Sequence, residues 1–295
     1  MRTDISRQTD TAAVSGSLVR LSGLWLWLSL TAALLAAAGN VAGLVAADSI
    51  YDKETVALAD ASAAQDIVNL VLVAPLLVAL GVLASRGSLR AYLAWLGCLA
   101  FTVYNYAIYT FSVHFGPLFL VWVAVLGLSI FALVGGLSTL ETTAVKARFA
   151  GRAMPLSAWF LIVVAALFVF LWLSEIVPEL LAGDPSSSAN DWSVPTNPVH
   201  VLDLAFFLPA LLASGVLLLR RHPVGYATVI GQLAWITLTG LPILVTPLVA
   251  NARGHEPGWA VMLPIGILCV VTLALLGRLL RLVSASPGPA VDEVR

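Results

Sequence analysis

Eight stretches of the chain, at about 24–47, 66–85, 90–113, 117–138, 156–181, 198–219, 224–250 and 259–282, are nearly free of charge and long enough to cross a bilayer as helices. A helix rising about 1.5 Å per residue needs roughly 20 residues to span about 30 Å of hydrocarbon. With no water at that depth, backbone groups must be satisfied within each segment, as a helix does. The composition agrees: the chain is 60% hydrophobic and 11% charged, where a soluble domain carries about a quarter charged residues. The expected fold is therefore all-α, a polytopic membrane bundle of eight transmembrane helices.

The first stretch does not read as a cleaved signal, because its apolar run exceeds the roughly 7–15 residues of a signal core. Loop charge predicts the orientation. With the N-terminus in the cytoplasm, 13 of the 15 Lys and Arg residues fall on the cytoplasmic side, and only Lys53 and Arg253 fall outside. This is the asymmetry of the positive-inside rule, and it predicts a multi-pass protein of the cell membrane with both termini cytoplasmic. Thirteen Arg against two Lys points to a GC-rich bacterial genome.

An internal repeat is visible at one offset. Moving Asn197–Tyr226 back by 134 positions lays Pro209 on Pro75, Gly215 on Gly81, Arg220 on Arg86 and Tyr226 on Tyr92; Gly231 then falls on Gly97. Trp159 falls on Trp25 at the same offset. Matches among Leu and Val would mean little in so apolar a chain, but coincidences of Pro, Gly, Arg and Tyr carry weight. The expected organisation is a disordered tail over 1–22, a first unit of helices one to four over 23–138, a linker over 139–155, a second unit of helices five to eight over 156–283 and a disordered tail over 284–295. Units with an even number of spans share one orientation, so the two should be parallel and related by an axis along the membrane normal.

Depth carries the functional signal. Within the spans, strong polar groups gather in the half away from the arginines: Asn40, Asp66, Asn69, Asn105, Glu175, Glu179, His200 and Asp203. The offset lays His200 on Asp66 and Asp203 on Asn69. Spacings of three or four residues put Asp66 with Asn69, His200 with Asp203, Asn105 with Tyr109, and Glu175 with Glu179 on common helix faces. A carboxylate inside a span costs roughly 2.5–3.5 kcal/mol, so several at one level imply a shared polar space. The expectation is a vestibule open to the extracytoplasmic side, lined by Asp66, Asn69, Asn105, Tyr109, Glu175, His200 and Asp203 and accepting a small polar or cationic ligand. A membrane-embedded enzyme acting on a lipid or lipid-linked substrate, with His200 as general base beside Asp203 or Glu175, is the alternative. A scaffold subunit without a ligand is a third reading. Against all three stands helix-end capping, which would place Asp66, His200 and Asp203 in the first turns of their helices to offset the dipole. Pro75 and Pro209 are expected to kink their helices.

Several chemistries are excluded. There is no phosphate-binding G-x-x-x-x-G-K-[ST] loop, H-E-x-x-H pair or G-x-S-x-G elbow. Cys98 and Cys269 stand alone, both lysines fall in loops, and His114, His222 and His255 read as surface loop residues. No metal or cofactor is expected, and a net charge of −1 offers no basic face for nucleic acid.

The strings YNYAIYTFSVHFGPLFL and NPVHVLDLAFFLPALLASGVLLLRRHPVGY resemble those of a family of multi-pass bacterial integral membrane proteins with no assigned activity. The resemblance covers roughly 24–282; it implies the architecture and adds no residue roles.

Overall fold

The computed structural model describes residues 23–283, so both expected tails lie outside the described residues. Eight helices are long and apolar enough to cross a membrane: α1 (Gly23–Val45), α2 (Val56–Ser85), α3 (Leu89–Ser112), α4 (Phe119–Ser138), α5 (Pro155–Ala182), α6 (Pro198–Leu219), α7 (Pro223–Ala252) and α8 (Trp259–Leu282). No strand occurs among the described residues. One end of the bundle carries the turns with Arg86, Arg90, Arg148, Arg152, Arg220 and Arg221; we refer to it as the basic face and to the other as the acidic face.

The centre belongs to α3 and α7, which pack on each other. Their aromatic side chains are the largest fully buried groups in the protein: Trp95, Tyr92, Phe101 and Tyr226. Around α3 lie α2 and α4, with α1 packed on both of them; around α7 lie α6, α8 and the first part of α2, with α5 packed on α6. The flanking helices turn large apolar side chains outward, among them Leu34, Phe131, Phe170 and Leu263, each about two-thirds or more exposed. Lipid is the solvent that suits such a surface.

At the core of the α3–α7 contact, Gly97 faces Gly231. A Cβ on Gly97 would lie 2.8 Å from Gly231 Cα and 2.8 Å from Ala234 Cβ, so the two backbones meet where side chains are absent. Gly97 and Gly231 are partners at the 134-residue offset.

That offset recurs in the local structure of α2 and α6. Each contains a five-residue π-helical turn, Asn69–Val73 and Asp203–Phe207, followed by an α-helical arm, Ala74–Ser85 and Leu208–Leu219. The cause is Pro75 and Pro209, second residues of those arms. Proline has no N–H to donate and its ring collides with the carbonyl four residues back. Widening the preceding turn relieves the collision, and the turn closes through Ala74 N–H to Asn69 O and Leu208 N–H to Asp203 O. Both arms then end alike: the backbone N–H groups of Ser88 and His222 return to Leu83 O and Leu217 O, and the residue before each has positive φ, Gly87 at 88° and Arg221 at 53°.

Helix α2 begins earlier than the apolar pattern suggests. The stretch expected as a loop to Gln65 is helical from Val56, with the Thr55 hydroxyl accepting from Leu58 N–H as the cap. Its alanines favour helix, and its one charge there, Asp60, is consumed in pairing: Oδ1 lies 3.0 Å from Arg253 Nη1 and Oδ2 2.7 Å from His255 Nδ1. His255 is thus the partner of a buried acid rather than a free surface residue. The connection between α1 and α2 runs over 46–55 and holds the short helix Ala47–Ile50, while the linker 139–155 holds another, Thr142–Arg148, packed on α7.

Candidate functional site

Because α2 starts at Val56, Asp66 lies ten residues into it, roughly 15 Å along the axis at about 1.5 Å per residue. Capping falls to Thr55, so the dipole reading does not apply to Asp66. The carboxylate is buried and accepts from two phenols, Tyr51 Oη at 2.7 Å on Oδ2 and Tyr109 Oη at 2.8 Å on Oδ1. Room for it comes from Gly43 on α1, where a Cβ would overlap Asp66 Oδ2. Tyr109 stacks between Tyr106 and Trp122, and Tyr106 Oη reaches Asn40 Oδ1 at 3.3 Å. Tyr51 lies in the connection before α2, where burial, and then the neighbouring carboxylate, push its phenol far above the ordinary range. It therefore remains a donor at neutral pH. Asn69, one turn on at the start of the π-turn, is buried with neither side-chain amide atom partnered.

The second cluster sits where α5 meets α6. Asn197 caps α6 by accepting from Val199 N–H, leaving His200 and Asp203 in its first two turns. Trp172 of α5 joins them: its Nε1–H donates to Asp203 Oδ2 at 2.9 Å, and its ring lies 4.5 Å from the His200 ring, centroid to centroid. His200 Nε2 approaches Glu175 Oε2 at 3.9 Å, and Glu179 accepts from Ser187 N–H. Asp203 is 5% exposed, yet its Oδ1 has no partner.

The balance of forces differs at the two carboxylates. A hydrogen bond to a charged group contributes about 1.5–3 kcal/mol, so two phenols at Asp66 offset the roughly 2.5–3.5 kcal/mol cost of an acid within a span. At Asp203 one indole about breaks even; the Tyr104 phenol stands close to the same carboxylate, yet Oδ1 is left without a hydrogen bond. Neither acid forms an ion pair with Lys or Arg among the described residues.

Two cavities adjoin these clusters. The first, about 160 Å³, lies on the seam between α2, α3 and α7 near the acidic face, with Trp192 of the α5–α6 connection against it. Its polar wall is neutral: Asn105, Thr239, Gln65, Ser62 and the phenols of Tyr104 and Tyr109. Both amide atoms of Asn105, Thr239 Oγ1 and Gln65 Oε1 are buried without partners. Asn105 and Thr239 are themselves partners at the 134-residue offset. The second cavity, about 260 Å³, lies among α5, α6, α7 and α8 and is apolar except for Asp203, Thr239 and the polar edges of Trp172, Trp235 and Tyr104. Tyr104, Val199, Thr239 and Ile243 line both and separate them.

The seven residues expected to share one vestibule therefore fall into two groups. Tyr109 and Asn105 line the seam cavity, while Asp66, bound behind Tyr109, and Asn69 line neither cavity; Glu175, His200 and Asp203 gather around Trp172, and of these Asp203 alone lines a cavity. Tyr51, Trp172 and Thr239 are the partners that sequence reasoning missed as site residues. Thr239 was traceable as the offset partner of Asn105, whereas Tyr51 sits in a connection with no periodic signal. No cluster of three or more His, Cys, Asp and Glu side chains suited to a metal occurs among the described residues. Comparison with family models, with curated proteins and with solved structures finds no match, so the functional reading rests on this geometry.

Proposed function

We propose that this integral membrane protein binds, and carries or senses, a small polar or cationic ligand that reaches the seam cavity from the acidic face, which the positive-inside rule places outside the cell membrane. The observation that carries the reading is the set of unpartnered buried atoms at the seam: Asn105 Nδ2 and Oδ1, Thr239 Oγ1 and Gln65 Oε1. Each such group costs about 1–3 kcal/mol when left unmet, a cost that a ligand with matching donors and acceptors removes. The aromatic side chains of Tyr104 and Trp192 in the wall suit a small organic cation, and the hydroxyl of Tyr109 links the cavity to the Asp66 carboxylate.

We read the architecture that supports this site as two parallel four-span units about a pseudo-twofold axis. The recurring π-turns, the contact of Gly97 with Gly231 and the presence of Asn105 and Thr239 in one cavity all support an axis through the seam. A ligand on such an axis touches both units, which lets a rocking motion of one against the other alter its access.

The test is binding of guanidinium, tetramethylammonium and glycerol to proteoliposomes holding the full chain. At least one should bind saturably from the acidic face, and Asn105→Leu should abolish that binding while the protein still unfolds cooperatively. Unchanged binding in Asn105→Leu, or none to any of the three, would sink the reading. Orientation is checked with a single cysteine at Arg220: Cys98 and Cys269 are buried, so background labelling is low.

A further inference from the structure

The second cavity poses a separate question, because its surroundings differ from those of the seam. Helices α1 and α4 pack closely against each other, but α5 and α8, their counterparts at the ends of the second set of four, hardly touch. The cavity occupies the space this leaves. Its rim carries Leu171 of α5 and Val261 at the start of α8, which are 50% and 40% exposed on the surface that faces lipid. Its floor is Leu208, Leu211 and Leu268. At one point only is there charge, the Asp203 carboxylate, 5% exposed with Oδ1 unpartnered. The same cavity wall carries three aromatic side chains: Trp172, whose N–H edge meets the carboxylate, Tyr104 beside it, and Trp235, edge to face with Tyr104 at 5.6 Å.

We propose that this cavity is a binding site for a single-chain lipophilic amine taken laterally from the bilayer between α5 and α8. A carboxylate with an unmet oxygen in an aromatic-walled cavity matches a protonated amine on two counts. The ammonium N–H donates to Oδ1, and the positive charge lies against the negative faces of the rings. A fatty acid or phosphate head meets repulsion at Asp203, and a neutral alcohol supplies the donor without the charge. The apolar walls take the first part of the tail. At about 260 Å³ the space falls just short of the roughly 300–1,000 Å³ of pockets that enclose a whole ligand, so the tail extends past Leu171 and Val261 into lipid. The site does not depend on the seam cavity being occupied, since Tyr104, Val199, Thr239 and Ile243 stand between the two.

The experiment uses tritiated dodecylamine and the full chain in phosphatidylcholine nanodiscs, with empty nanodiscs measuring simple partition. Wild-type protein should show saturable binding above partition, with dodecanol competing about tenfold more weakly, as expected for loss of one charge-assisted contact of about 1.4 kcal/mol. Asp203→Asn, which keeps shape and removes charge, should lower dodecylamine affinity about tenfold, to the level of the alcohol. Val261→Trp, a change on the lipid side of the rim, should weaken amine and alcohol together. Both variants are first shown to unfold cooperatively; should Asp203→Asn fail to fold, Val261→Trp and the amine-to-alcohol ratio decide alone. Partition without saturation, equal affinity for amine and alcohol, or full binding in either variant would overturn the proposal.

Discussion

The α3–α7 contact offers a test in which two glycines, each the other's partner at the 134-residue offset, should respond with opposite sign to one substitution. A Cβ at Gly97 would overlap Gly231 O and lie 2.8 Å from both Gly231 Cα and Ala234 Cβ. Two of these three obstacles are backbone atoms of a buried helix, so relief requires α3 and α7 to part by several tenths of an ångström. Overpacking of this kind costs about 1–3 kcal/mol. The better helix propensity of alanine returns about 0.5–1 kcal/mol, leaving Gly97→Ala destabilised by roughly 1–2 kcal/mol. At Gly231 the same methyl meets Gly97 N at 3.4 Å, Leu93 O at 3.4 Å and Gly97 Cα at 3.6 Å, which is ordinary contact. Gly231→Ala should therefore be neutral or stabilised by up to about 1 kcal/mol. Equilibrium unfolding in mixed micelles by SDS titration, followed by circular dichroism, separates the two. If Gly97→Ala is as stable as the parent, or if Gly231→Ala is the more damaged, the close backbone approach is not what holds α3 against α7.

Five further substitutions probe other regions of the protein, each by the same unfolding assay. Arg221→Gly should stabilise by about 0.5–1 kcal/mol, because a side chain in the left-handed region costs about 1–2 kcal/mol and glycine's backbone entropy takes back part of the gain; Gly87→Ala at the matching turn should destabilise. Tyr51→Phe should cost about 1–3 kcal/mol by stripping Asp66 Oδ2 of its donor. Since burial raises the Tyr51 phenol above its ordinary value of 10.0, the parent's advantage over the variant should shrink as the pH climbs past about 10, where the unfolded phenol ionises and the folded one does not. Arg253→Ala should be more damaging than Asp60→Asn: the first leaves a carboxylate that is 4% exposed with only His255, whereas the second releases Arg253 and His255, 34% and 38% exposed, to water. Screening at those exposures holds the second loss to about 1 kcal/mol.

The eight spans were legible because long apolar runs have no other stable use, and the Pro75–Pro209 match located the helix breaks to within a few residues. What those breaks would be was not legible. A proline in a span can kink, or it can widen the turn ahead of it, and the choice depends on neighbours such as Cys98, whose thiol lies 3.8 Å from Val73 O. The start of α2 was missed because Asp60 looks like loop sequence until Arg253 and His255 are seen beside it, more than 190 residues away in the chain. The division of the polar residues between two places was hidden for a related reason. Depth can be read from position within a span, but the rotation of α6 about its own axis, which presents Asp203 to Trp172 rather than to the seam, is set by tertiary packing.

The two π-turns show how similar backbones come to serve different ends. In α2 the acid is Asp66, three residues before the turn, and Asn69 opens it; in α6 the acid is Asp203, which opens the turn itself, and His200 takes the earlier place. A shift of three residues is nearly one helical turn, so both acids stay on similar faces but meet different surroundings. Asp66 meets two phenols and the gap made by Gly43, and α4 packed on α1 closes that side against lipid. Asp203 accepts one indole hydrogen bond with the Tyr104 phenol close by, its Oδ1 stays unpartnered, and the separation of α5 from α8 leaves the space beside it unfilled. One carboxylate is thus satisfied from within the protein, while the other retains an oxygen that only something from outside can satisfy. On this account Asp66→Asn should weaken folding more than ligand binding, and Asp203→Asn should do the reverse.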